Sequence, residues 1–376
     1  MLKSRTHIKN PLLKISGRKA AWYLFSTLDY PFDDFERFRK ILWAAIVRSP
    51  WLYSNIAIPK RDGSKRILAI PHPDLMTIQR AINKNFLELY RHPNVYGFSG
   101  GNAREALTAL ARSNQAIFAS DIKDAFPSTT GRAVFNFFRT EKFGYYTSYY
   151  LTCLTTWFNQ QKKFNLPQVG LPQGAPTSPR LFDLCFIRFD RRFARLTKNA
   201  NGVYFRYADN IFLTAEEFWP ERINIQTMRD GGVRWQSPII SAIYRILKRG
   251  YEFEHSPDNE IWHNQEYGLH KSYFARQGQI LHALGLNIKD DQLHNTREFK
   301  LRVRMTIFNL KKALEQKDDF ETKIWPLYHK LDGMQKFLVK ETSSKLWEEA
   351  EQALFQVALI RYSGQGGRYV KNISEY

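Results

Sequence analysis

The chain has 376 residues, 43% hydrophobic and 15% aromatic, which fits a folded protein of two or three packing units and excludes a disordered one. Its 56 Lys and Arg against 36 Asp and Glu leave a net charge of +20, which points to a polyanionic partner such as nucleic acid, or else to a merely basic enzyme. Cys153 and Cys185, with no CxxC or Cys/His cluster, exclude a disulfide framework and a structural zinc site, and no signal-type apolar core or run of roughly 18 apolar residues is present, so a cytoplasmic chain without a membrane anchor is expected.

In chain order, residues 1–50 mix aromatic and basic residues and read as helices, with Asp33–Asp34 and Pro50 as breaks. WLYSNIAIPKRDGSKRILAIP (51–71) reads as two strands joined by the turn Arg61–Asp62–Gly63–Ser64, because Asp-Gly between apolar runs favours a hairpin. Leu75, Ile78, Ile82, Phe86 and Leu89 then recur at helical spacing. Ala116 to Ala119 form a short buried strand that runs into Asp121 and Asp124, and a helical region spans 131–158. GVYFRYADNIFLTA (202–215) alternates on both sides of a polar tip and predicts a second hairpin. Residues 215–268 are polar and broken by Gly and Pro, and read as a surface insertion around a helix at Ile239–Leu247. Beyond about 297 the chain is helical: Val303, Ile307, Leu310 and Leu314 mark an apolar stripe, Lys300, Arg304 and Lys311 another face, and a further helix covers about 344–361. Strands interleaved with helices, followed by helices alone, predict an α+β body with a helical module.

Three segments carry chemistry. ASDIKDAFPSTT places Asp121 at a strand end, LPQGAPTSP (171–179) is rich in Pro and Gly, and RYADN places Asp209 at a hairpin tip. A two-metal phosphoryl-transfer site needs such carboxylates from different strands, since hard cations take charged oxygen ligands and clamp the attacking and leaving oxygens. Taken singly, the strand-end Asp also serves as a cap, LPQG as any turn and YADN as an Asx turn. Ala208–Asp209 is not the Gly-containing pair that a relaxed two-residue hairpin prefers, and local rules are broken most often at functional sites.

Order and spacing sharpen the reading. IPKRDGSKRILAIPHPDLMTIQRAI resembles the fingers segment of bacterial reverse transcriptases of the retron, group II intron and phage-defence grouping. HPNVYGFSGGNAREAL resembles the segment leading to their motif A, SDIKDAF motif A itself, LPQGAPTSP motif B and YADN motif C. HKSYFARQGQILHALGLNIKDDQLH resembles the motif D lysine and primer-grip turn, and KLDGMQKFL a thumb element. The resemblance covers about residues 52–338 in the family's order. It implies an α+β right-hand polymerase fold, with fingers and palm on an antiparallel sheet and an α-helical thumb. The corresponding partition is an N-terminal helical extension 1–50, fingers and palm 51–295 with the insertion at about 215–268, a thumb 296–361 and a mobile tail 362–376.

What the resemblance implies for residues follows position by position. Asp121 and Asp209 match the metal-binding carboxylates, with the Ile122 carbonyl as a backbone ligand and Asn210 where most relatives carry a second Asp. Asp124 and Ala125 fall where backbone amides hold the dNTP triphosphate, and Phe126 matches the aromatic gate against a ribose 2′-hydroxyl. Gln173 matches the motif B glutamine, and Lys60 and Arg66 the fingers cations. Lys271 matches the lysine able to protonate pyrophosphate, across an alignment disturbed by the insertion before it. Lys300, Arg304 and Lys311 are expected to contact template–primer phosphates, although without the resemblance these lysines and arginines read as solvated cations. The implied cofactor is two Mg²⁺ ions. Asn210 removes one negative charge and so weakens Mg²⁺ and favours Mn²⁺, which tolerates N/O ligands better. The implied partners are dNTPs, an RNA template (a dedicated non-coding RNA), the DNA product and a protein of a defence system. No endonuclease motif is seen, and little chain follows the thumb, so a retron-like or antiphage enzyme is expected rather than an intron mobility protein. Untemplated or protein-primed synthesis, and a silent RNA-binding scaffold motivated by Asn210, stand as the alternatives.

Overall fold

The computed structural model describes residues 17–28, 34–59, 63, 65–87, 93–98, 103–111, 116–158, 169–215, 224–227, 233–236, 242–243, 245–247, 267–275, 280–289 and 292–363. Lys60, most of the expected insertion and the expected mobile tail from residue 364 lie outside them, while 362–363 continue the last helix. By packing, the chain divides into one unit of residues 1–106 and 115–276 and a second of 107–114 and 277–376.

The first unit opens with α1 (Gly17–Thr27) and α2 (Phe35–Ile46). Asp34 starts α2 by accepting from the Arg37 N–H at 3.0 Å, a cap for an otherwise unpaired helical amide. Trp22 and Phe25 pack edge to face with Phe35, and Phe25 lies tilted against Phe38, where the two helices meet. β1 (Tyr53–Pro59) and β2 (Lys65–Pro71) form the expected antiparallel hairpin, closing at Pro59 opposite Lys65 with Gly63 at φ +79°. α3 (Pro73–Ile82) follows and buries Gln79, whose amide donates to the Tyr53 hydroxyl at 2.9 Å and to the Leu154 carbonyl at 2.8 Å.

The centre of this unit is a five-stranded sheet. Its strands are β3 (Val95–Tyr96), β4 (Ala116–Lys123), β7 (Tyr204–Tyr207), β8 (Asn210–Ala215) and β11 (Gly268–Ala275), in the spatial order β11-β4-β8-β7-β3. All pairings are antiparallel except β3 with β7. Ala116–Ser120 and Ile211–Ala215 are buried at every position, so both faces of the central strands are covered. One cover is α8 (Ser178–Lys198), 21 residues long, whose Phe182, Phe186, Phe189 and Phe193 are buried along one face. α4 (Ala103–Ala111) precedes β4, and between β4 and α8 the chain forms α5 (Ala125–Ser128), α6 (Gly131–Thr140), α7 (Tyr145–Thr155) and the short pair β5 (Trp157–Phe158) and β6 (Val169–Gly170). The expected helical region 131–158 is thus two helices and a strand. Within the expected insertion, β9 (Asn224–Thr227) and β10 (Val233–Gln236) pair as a hairpin, and residues 242–243 and 245–247 are helical.

The second unit holds a three-stranded sheet, β12 (Leu281–Ala283), β13 (Leu286–Lys289) and β14 (Gln292–Asn295), followed by α9 (Arg297–Glu315), α10 (Trp325–Phe337) and α11 (Lys340–Ser363). Val303, Leu310, Leu331, Ala350 and Val357 are buried in its own core. The Asn295 amide ties sheet to helices, donating to the Phe337 carbonyl at 3.1 Å and accepting from the Val339 N–H at 2.7 Å. α11 is kinked at Ser343, where the expected helix from 344 begins. The molecule is therefore α+β, as the interleaved strands and helices predicted, with a sheet-based first unit and a largely helical second one. Among the described residues no helix is long and apolar enough to cross a membrane.

Candidate active site

β4 and β8 bring the two acids together through register. Asp121 lies directly opposite Asn210, and the Ile122 N–H donates to the Asp209 carbonyl at 2.8 Å. β8 starts at Asn210 and β4 finishes two residues beyond Asp121, at Lys123, so Asp121, Ile122, Asp209 and Asn210 share one end of adjacent strands. Asp121 is half-buried and Asp209 exposed. The Asn210 amide donates to Asp209 Oδ1 at 3.1 Å, which turns its own carbonyl oxygen away from that carboxylate.

The turn between β7 and β8 is the two residues Ala208 and Asp209, and Ala208 holds φ at +54°. A left-handed alanine is disfavoured by its Cβ, so the unrelaxed hairpin tip expected from the sequence is present as backbone strain. Asp124 also has positive φ, +48°, and turns the chain sharply from β4 into α5. This brings Asp124, Ala125 and Phe126 to the end of the strand that carries Asp121. Phe126 is half-buried, its ring 6.0 Å from that of Phe98 and 5.9 Å from that of Phe182. Its backbone is also held, since its carbonyl accepts from the Leu171 N–H at 3.2 Å.

The LPQG loop is clamped from both sides. A Cβ on Gly170 would fall 2.6 Å from the Pro127 carbonyl oxygen, so only glycine permits this approach to the end of α5. On the other side the Ala69 N–H of β2 donates to the Gln173 carbonyl at 2.7 Å, and Gly174, at φ +117°, passes the Ala69 carbonyl. The β1–β2 hairpin, the Gln173 loop and Phe126 are therefore linked through backbone hydrogen bonds. Arg66 is exposed on β2, three residues before Ala69. Lys271 lies on β11, inside the register shift between His270 and Tyr273, and His270 is opposite Asp121. Lys60 is outside the described residues. Lys300, Arg304 and Lys311 are on α9, in the second unit.

Beneath the turn is a group that sequence reasoning passed over. Arg206 is completely buried, with Asp190 taking its Nε at 2.9 Å and Nη2 at 3.0 Å, and Asp183 its Nη1 at 2.8 Å. Tyr204 donates to Asp190 at 2.5 Å. Burial works against the Arg206 charge, but the two carboxylates outweigh it and hold its pKa above the ordinary value. Burial, reinforced by Asp190, pushes the Tyr204 hydroxyl well up. The available signal was the seven-residue spacing of Asp183 and Asp190, which puts both acids on the apolar face of α8.

Among the described residues no three His, Cys, Asp or Glu side chains gather as a metal-binding group. The donor set here is two carboxylates, an amide oxygen and a backbone carbonyl, all hard oxygen donors at one sheet edge. That set fits Mg²⁺ or Mn²⁺, which characteristically bind one or two carboxylates and complete their shells with water and substrate phosphates.

Residues 58–235 match the family model described as reverse transcriptase (RNA-dependent DNA polymerase). The chain is 37% identical over 186 residues to the retron Mx162 reverse transcriptase of Myxococcus xanthus, an alignment that covers 46% of this chain and 38% of that protein. It is 31% identical over 175 residues to the retron Mx65 reverse transcriptase of the same organism, covering 44% of this chain and 41% of that protein. In each case the chain spans well under half of the relative's length. Among solved structures, telomerase from Candida albicans aligns over 84% of this chain and 66% of its own at 9% identity, with a TM-score of 0.43.

Proposed function

We propose that this chain, whose residues 58–235 are a reverse transcriptase domain similar to those of retron enzymes, is an RNA-directed DNA polymerase. The observation that carries the reading is the β4–β8 register, which sets Asp121 opposite Asn210 and joins Ile122 to Asp209 at one sheet edge. Asp121 and Asp209, with the Ile122 carbonyl and the Asn210 amide oxygen, would hold two Mg²⁺ or Mn²⁺ ions. Such ions, when bound, stabilise the charge that develops on attacking and leaving oxygens in an in-line displacement.

The chain's own residues supply binding and selection. Phe126, braced by Phe98 and Phe182, stands where a ribose 2′-hydroxyl would meet a ring edge, so deoxyribonucleotides are admitted and ribonucleotides excluded. The backbone amides of Asp124 and Ala125 hold the triphosphate, with charge from Arg66 and Lys60. Gln173 bears on the incoming nucleotide, its loop fixed to β2 through the bond to Ala69. Lys271 donates the proton to the departing pyrophosphate. Lys300, Arg304 and Lys311 meet template–primer phosphates, and a chain of net charge +20 gains affinity for that polyanion through counterion release. We assign the template to a dedicated non-coding RNA, the product to DNA, and the setting to cytoplasmic antiphage defence with a protein partner.

The test is primer extension with dNTPs on an RNA template, run with Mg²⁺ and with Mn²⁺. Wild-type extension should vanish in Asp121→Ala and in Asp209→Ala, each still folded by circular dichroism. Extension that survives either change overturns the site. RNA binding without incorporation under either ion supports the silent scaffold, and incorporation without template supports untemplated synthesis.

A further inference from the structure

Arg206 is buried at a cost that stability alone does not explain. A buried ion pair can often be replaced by apolar side chains without loss, so burial of a guanidinium with two carboxylates is weak evidence for a stabilising role. The position is also shaped for this group: the guanidinium carbon stands 5.0 Å from the ring centres of both Phe182 and Phe186. Asp190 grips one edge of the guanidinium with two hydrogen bonds, which fixes its plane. The remaining nitrogen, Nη1, is divided between Asp183 and the backbone carbonyl of Ala208 at 2.7 Å. Ala208 is the left-handed residue of the turn that presents Asp209. The network thus ends on the one strained peptide next to the acid.

We propose that Arg206 is a positioning residue that holds the Ala208–Asp209 turn in its left-handed conformation by anchoring the Ala208 carbonyl to Asp183 and Asp190 of α8. Left free, a non-glycine turn relaxes out of this region, and Asp209 would then leave its place opposite the β4 edge. The charge-assisted bond to the Ala208 carbonyl offsets that tendency, and its anchor is the helix that begins directly after the Gln173 loop. The position of Asp209 and that of the loop bearing Gln173 are therefore both set by α8. The catalytic consequence rests on the polymerase reading above, whereas the mechanical claim does not.

The experiment compares wild type with Arg206→Lys, because lysine keeps the buried charge for Asp190 but is too short and unforked to span Asp190, Asp183 and the Ala208 carbonyl together. Hydrogen–deuterium exchange is read separately on peptides covering 204–213 and 181–193. Of the bonds that lysine cannot keep, the one to the Ala208 carbonyl is the one that reaches the turn, and its loss predicts turn exchange faster by about 10- to 100-fold, with α8 changed by less than about twofold. In primer extension kcat should fall by a similar factor while KM for dNTP holds within about twofold, and adding Ala208→Gly should restore part of kcat, because glycine adopts positive φ without the anchor. Equal acceleration of both peptides would mean that Arg206 merely holds the fold together, and an unchanged turn would mean that it anchors nothing; either result overturns the proposal. If Arg206→Lys does not fold, Asp183→Asn takes its place, with the same pattern expected at a smaller factor. A wild type that incorporates no nucleotide defeats the polymerase reading while leaving the exchange result to judge the anchor.

Discussion

Replacing Asn210 with Asp exchanges an attractive contact for a repulsive one, and the structure sets the size of the change. The Asn210 amide now donates to Asp209 Oδ1 at 3.1 Å. In the variant two carboxylates stand about 4 Å apart, a repulsion of about 1 kcal/mol in water and about 4 kcal/mol at an effective dielectric constant of 20. Asp209 is exposed, so the lower figure governs, and the lost exposed hydrogen bond adds about 0.5 kcal/mol. Without divalent ions the variant should therefore be less stable by about 1–2 kcal/mol, a fall in melting temperature of roughly 1–3 °C for a chain of this size. A divalent cation that binds between the carboxylates cancels the repulsion, and by linkage the same free energy returns as affinity. Half-saturating Mg²⁺ in primer extension should fall by about 5- to 30-fold, at about 1.4 kcal/mol per factor of ten. The assay is a Mg²⁺ titration of extension at saturating dNTP, paired with melting curves in chelator and in excess Mg²⁺. The ratio of Mn²⁺- to Mg²⁺-supported rates should drop in parallel, because the added carboxylate supplies the charge that Mg²⁺ lacks with an amide. An unchanged half-saturation point together with an unchanged metal-free melting temperature would refute both the electrostatics and the placement of the ion.

Phe126→Ala should lower the ratio of kcat/KM for dNTP over rNTP by about 10- to 100-fold, the range a single pocket contact provides, as measured by single-nucleotide incorporation; an unchanged ratio removes Phe126 as the gate. Gly170→Ala puts a methyl group 2.6 Å from the Pro127 carbonyl oxygen and should cost about 1–3 kcal/mol, read as a lower melting temperature with loss of extension. Changing Lys300, Arg304 and Lys311 together to Ala should flatten the log–log salt dependence of RNA–DNA hybrid binding by about one unit per cation that meets a phosphate, and a slope that does not change removes them from the interface.

The parts of the site that the sequence made legible are those where local chemistry and global position agree. The apolar run 116–119 ends in acids because a buried strand leaves the sheet there, and outside the site the break read at Asp33–Asp34 falls where the Asp34 side chain takes the Arg37 amide to start α2. Both effects act within a few residues. The alternation in GVYFRYADNIFLTA located the hairpin but left its burial unspecified. Period-two reading assumes one wet face, whereas Tyr204–Arg206 and Ile211–Ala215 are buried throughout. Under that assumption Arg206 is an outward-facing cation, and nothing within its own strand contradicts it. Its partners are 16 and 23 residues earlier, on α8. The association of β14 with the helices is likewise out of local reach, since Asn295 bonds to Phe337 and Val339 more than 40 residues on. What the sequence did contain was a conflict: Asp183 and Asp190 occupy the same helix face as Phe182, Phe186 and Phe193, where an unpaired carboxylate would be costly. Two acids on an apolar face demand a buried cation. Few unassigned cations lie within an otherwise apolar strand, and one of these, Arg206, precedes the site's Asp209 by three residues. A polar residue that breaks the pattern of its own element is therefore best read as a request for a partner elsewhere, and in this chain following that request leads from α8 to the turn that carries Asp209.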